Sequence, residues 1–125
     1  MSSGEQENYV PSTTKHREQV RARIRLLNDR LRKYHQGGLV NITSGLHTLG
    51  QSAVTAIIEA VTDFDSFDVH NDPHHEHDFG VLTIQGRRLM WKIDYYDRLF
   101  EFGSSNPADA TVTARVLTIM LASEY

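Results

Sequence analysis

A chain of 125 residues has the length of one domain, and at that size a core forms without help from metals or disulfides. It holds no cysteine, which excludes disulfides, thiolate zinc sites and cysteine nucleophiles. The net charge of −3 hides a polarised layout: Lys15, Arg17, Arg21, Arg23, Arg25, Arg30, Arg32 and Lys33 are eight of the thirteen basic residues, whereas Glu59 to Asp109 holds eleven acids against four bases. Either end of such a chain can act electrostatically.

Residues 1–12 are polar, with Pro11 as a stop, and predict a disordered tail ahead of a single domain over 13–125. There is no signal-peptide core at the start. The longest apolar run, Val116 to Ala122, is interrupted by Thr118 and far too short to cross a bilayer. The expectation is a soluble cytoplasmic protein with no membrane partner.

Ser12 or Thr13 can cap a helix running to about His35, with Val20, Ile24, Leu27 and Leu31 as its apolar stripe. Gly37-Gly38 ends it. Leu39 to Thr43 alternates and predicts a short strand. Thr48 and Gln51 have capping-box spacing, and the helix that follows, to about Phe64, places Val54, Ile57, Ile58, Val61 and Phe64 on one face. An acidic loop, Asp63 to Asp72, leads out of it.

Gln85-Gly86 lies between two alternating runs and predicts a two-residue hairpin turn. With Ile84 opposite Arg87, Leu82 faces Leu89, Gly80 faces Trp91 and His77 faces Asp94. Leu82, Ile84, Leu89, Trp91, Ile93 and Tyr95 then share the core face, and Gly80 leaves room for the indole. A second turn near Tyr96-Asp97 predicts a strand at 98–102, with Phe100 and Phe102 joining that face and Glu101 meeting Lys92 outside. Asn106, Pro107 and Asp109 are helix-start residues, and Val112 to Leu121 is apolar around most of a helical circumference, so a buried or dimer-forming helix is expected there. The fold class is α+β: a small antiparallel sheet of about four strands, built on the hairpin at 79–95 and the strand at 98–102, packed on one face by three helices.

Asn71-Asp72-Pro73, Glu76-His77-Asp78-Phe79-Gly80, Trp91-Lys92-Ile93-Asp94-Tyr95-Tyr96-Asp97, Pro107-Ala108-Asp109 and Arg115 to Leu121 with Glu124-Tyr125 resemble a bacterial family numbered 3768 among the domains of unknown function. The likeness runs from about Ile24 to Tyr125. It implies a small bacterial protein, of a kind encoded near plasmid or other mobile-element genes, with no assigned activity. His74 and His75 depart from the family's pattern.

The candidate chemistry centres on His77 and Asp94, cross-strand neighbours in the predicted register. With His75 two residues earlier they make a weak divalent-metal set. Without metal they make a general base whose tautomer the carboxylate fixes, helped by Glu76, Asp78 or Asp97. The plainer reading is that such a histidine ties a loop to a sheet edge, and that Asn71-Asp72-Pro73 is turn chemistry. Arg21, Arg25 and Arg32 on the first helix can meet phosphates or an acidic partner. Asp65, Asp68 and Asp72 offer an acidic surface to a basic protein, but they lack the glycine of a twelve-residue calcium loop.

The reading favoured is an accessory protein that binds another macromolecule, a protein foremost, and on the resemblance an inhibitor or modulator of a host system. No cofactor is required by it. The alternatives are a metal-dependent hydrolase-like enzyme using the His77 cluster, and nucleic-acid binding through the basic helix; a homodimer is compatible with each.

Overall fold

Gln85 and Gly86 both take left-handed backbone, with φ of 52° and 79°, which is what a type I′ turn asks of its two central residues. The turn fixes the register of the whole hairpin: Ile84 pairs with Arg87, Leu82 with Leu89 and Gly80 with Trp91. A Cβ on Gly80 would overlap the Trp91 indole nitrogen and the Phe64 ring, so only glycine leaves that space. The hairpin is therefore as the alternation predicts.

The computed structural model describes residues 2–125, with side chains described from Thr13; the tail expected over 1–12 falls outside the described side chains. In order, the elements are α1 (Ser2–Tyr34), β1 (Leu39–Ile42), α2 (Ser44–His47), α3 (Gln51–Thr62), β2 (Phe79–Ile84), β3 (Arg87–Tyr96) and β4 (Ala114–Leu121), followed by a 3-10 turn at Ala122–Glu124. The four strands form one sheet in the order β1-β4-β3-β2. The fold is α+β with helices and sheet sharing one core. Leu31 of α1, Leu46 of α2, and Ile57 and Val61 of α3 pack on Leu89, Trp91, Ile93, Leu117 and Ile119 of the sheet. Each such burial is worth about 1.5–3 kcal/mol.

Three expectations are corrected. First, residues 114–121 form a strand at the centre of the sheet, not a helix. Arg115, Leu117 and Ile119 are buried while Ala114, Val116 and Thr118 are only partly so, the alternation of a strand. A short apolar run fits a buried helix or a central strand equally, and here the β-branched Val116, Thr118 and Ile119 decide it. The helix-start residues build turns instead: Asn106 Oδ1 accepts from the Ala108 N–H, and Asp109 Oδ1 from the Thr111 N–H and hydroxyl.

Second, 98–102 is a loop. β4 occupies the edge of β3 that this segment was expected to take, and only a single bridge, Tyr96 to Gly103, joins the loop to β3. Phe100 and Phe102 lie exposed, outside the core. Third, the sheet is mixed, because β1 runs parallel to β4, with Leu39 opposite Val116 and Ile42 opposite Ile119.

The capping box at Thr48 and Gln51 does not form. Gly50, with φ of 96°, is the N-cap of α3, and the Thr48 hydroxyl donates to the Gly45 carbonyl. Gly37, at φ 84°, ends α1 as expected.

Candidate functional site

His77 does not meet Asp94. The ladder between β2 and β3 begins at Phe79, and His75 and His77 both take left-handed backbone, with φ of 57° and 54°. That twist carries His77 off the strand line and under α1. Its Nδ1 lies 2.8 Å from Asp29 Oδ1 and its Nε2 3.6 Å from Asp72 Oδ2. Its ring stacks on Phe67 at 3.8 Å between centroids, nearly parallel. Asp94 instead pairs with Lys92 on its own strand.

Asp72 is only 2 % exposed. Its Oδ1 accepts from the N–H groups of Glu76 and His77, so it holds the turn that sets the imidazole. This acid belongs to the frame rather than to an acidic surface. Asp65 and Asp68 are exposed. Asp68 accepts from the N–H groups of His70 and Asn71, and those two bonds hold its carboxyl below the usual range.

Beside His77 runs a second network. Asn28 Nδ2 donates to the Glu76 carbonyl and to the Tyr95 hydroxyl, which donates to Glu76 Oε1. Arg115 Nε donates to Asn28 Oδ1, its Nη2 to the Pro107 carbonyl, and its guanidinium lies over the Tyr95 ring. Burial pushes the Tyr95 hydroxyl far above its ordinary range and draws Arg115 downward. Asp78 is half-buried, and burial foremost, with Glu76 nearby, pushes its carboxyl up.

Arg32 was grouped with Arg21 and Arg25 as a charge facing outward, and it is buried, 1 % exposed. Its Nη1 donates to the carbonyls of Val61, Thr62 and Phe64, and its Nη2 to Asp29. Those carbonyls include ones that α3 leaves unpaired at its end. The cation thus caps a helix, and the Phe67 and Trp91 rings lie 5.4 and 5.3 Å from it. Arg25 is partly exposed and donates to the His75 carbonyl; Arg21 is exposed.

Among the described residues no three of His, Asp and Glu gather as a metal ion would need; His75 is exposed and apart from Asp94. Asp97, the remaining catalytic candidate, accepts from the N–H groups of Leu99, Glu101 and Phe102. Its carboxylate is the clamp of a loop. The candidate catalytic and metal residues are thereby spread over three separate structural tasks.

The clamped loop is the more informative place. Leu99, Phe100 and Phe102 are 76, 51 and 72 % exposed, although they are large and apolar. Phe100 leans on Tyr96, with centroids 5.8 Å apart. It also lines a pocket of about 310 Å³ with Leu39, Gly37, Gly38, Arg98, Thr113, Ala114 and Arg115. An apolar rim, a cationic lining and a fixed backbone meet at this one corner of the sheet. The alternation argument hid it by assigning both phenylalanines to the core; the acidic Asp97 at the head of the loop was the available sign of a turn.

A family model described as "Protein of unknown function (DUF3768)" matches residues 42–124. The chain belongs to that family. The match takes in α2, α3, β2, β3 and β4, hence the His77 frame and the clamped loop, while α1 and most of β1 precede it. No curated protein matches the chain, and no solved structure does. No helix among the described residues is long and apolar enough to cross a membrane.

Proposed function

We propose that this domain works by binding another protein through the corner formed by the 97–103 loop and the adjoining pocket. The observation that carries it is the exposure of Leu99, Phe100 and Phe102 on a backbone that Asp97 holds in place. Large apolar side chains grouped on a surface mark interaction sites, and a pre-formed loop loses little entropy on binding. Aromatic anchors beside a pocket are the usual centre of such an interface. The lining adds chemistry: Arg98 and Arg115 favour a partner segment with an apolar side chain for the pocket and a carboxylate next to it. Inhibition or modulation of a host protein, as the family resemblance implies, is one form this binding would take.

The test is a peptide-display selection on the folded domain. Enriched peptides carry an apolar anchor next to an acid, and they lose at least about tenfold in affinity on Phe102→Asp, a hot-spot-sized effect, while binding His77→Ala unchanged. Equal binding to Phe102→Asp and wild type, with both folded by circular dichroism, would end this reading. The hydrolase-like reading has no comparable support, because His77 and Asp94 stand apart.

A further inference from the structure

We infer that the N-terminal part of α1 is an arm that binds double-stranded DNA by lying in its major groove. Every residue from 13 to 19 is exposed, and the first buried one is Ile24. Arg17, Ile24 and Leu31 follow at seven-residue steps and so share one azimuth. Ile24 and Leu31 are buried while Arg17 is exposed. The helix has therefore left the body of the domain before it reaches Arg17.

The arm is cationic on all sides. Arg17, Arg21 and Arg25, four residues apart, form one ridge, and Lys15 and Arg23 lie nearly opposite. Within 13–25 the only carboxylate is Glu18. None of these cations is in an ion pair among the described residues. A helix that docked on an acidic protein would need charge on one face alone. Charge on opposite faces fits a groove with phosphates on both walls, and the B-form major groove, about 12 Å wide, admits one α-helix. From Lys15 to Arg25 the arm is about 15 Å long, enough to reach across it. A-form RNA offers only a deep, narrow major groove, so duplex DNA is the favoured ligand.

The remainder of the molecule works against a general attraction. Residues 36–125 carry twelve acids and five bases, so phosphates are attracted to the arm and repelled elsewhere. Arg32, which sequence reasoning placed with these cations, takes no part, since it caps α3.

The experiment is fluorescence anisotropy with a labelled random-sequence DNA duplex, a matching single strand and a polyglutamate peptide. Four phosphate contacts predict a salt slope of roughly −4, or a loss of about a hundredfold between about 50 and 200 mM salt. The variant Lys15→Gln/Arg17→Gln/Arg21→Gln/Arg23→Gln, all at exposed positions, is expected to flatten that slope and lose most of the binding. Arg87→Gln/Arg88→Gln, at the exposed hairpin end, is the control and is expected to leave binding in place. The proposal is overturned if the duplex fails to bind at low salt, or if single strand or polyglutamate binds as tightly. It is equally overturned if the hairpin variant loses as much as the arm variant.

Discussion

Arg32 shows how much one side chain can be asked to do. Its Nη1 takes three carbonyls at the end of α3, its Nη2 a carboxylate on its own helix, and two aromatic rings flank it. Replacing it removes both the cap and the charge partner of Asp29, which would then keep only His77. We expect Arg32→Ala to cost about 3 kcal/mol, the scale for breaking one side of a buried ion pair, read as a lower urea midpoint. Lysine should rescue little of this, since an ammonium lacks the planar fork that meets several acceptors at once. Nothing in spacing alone distinguishes this arginine from its exposed neighbours. A hint was present in Asn28, which stands between Leu27 and Leu31: a polar residue inside the apolar stripe means that the buried face is wider than the leucines suggest. His77 was misplaced for a related reason. The hairpin register was right, but it was extended two residues past the strand, into backbone that His75 and His77 had turned left-handed.

At the level of elements, local turn chemistry could be read and the choice of strand neighbours could not. Gly37, the hairpin turn and the Gly80–Trp91 fit all follow from short-range sterics. Gln85 sits at φ 52°, a conformation asparagine tolerates better, so Gln85→Asn is expected to raise stability by about 0.5 kcal/mol, measured by the same denaturation. β4 is different. Its apolar run suited a helix because both faces of a central strand are covered, which erases the two-residue alternation that marks an edge strand. Once β4 was read as a helix, β3 lacked a neighbour, and 98–102 was drafted to supply it. One error thus made the other, and together they concealed the three exposed side chains on which the proposed interface rests. The strand count, the α+β class and α3's buried face survived because each rests on signals within a single element.

For the molecule as a whole, the acidic half carries one carboxyl that is held unfavourably. Asp78 is pushed up by burial and by Glu76, so the folded state binds its proton more tightly than the unfolded chain does. Stability then falls as pH rises from the unfolded value of about 3.9 through the folded one, and the loss persists at neutral pH. Asp78→Asn should remove that loss. Thermal midpoints of variant and wild type should lie close together in strong acid and separate in the variant's favour toward neutrality. A constant gap across pH would show that the carboxyl's charge is not the cause.

The order of the sheet also bears on how the protein is made. β4 joins β1 to β3, and Leu39 pairs with Val116, 77 positions further on (116 − 39). A chain emerging from the ribosome can close the β2–β3 hairpin at once. Its β1, however, has no neighbour until the strand near residue 120 has cleared the exit tunnel. Until then Leu46, Ile57 and Val61 have only half their core. Contacts this distant slow folding, and a nascent chain in that condition exposes apolar surface for as long as synthesis lasts. The domain should therefore be completed after release rather than during translation, with the helices waiting on one late strand.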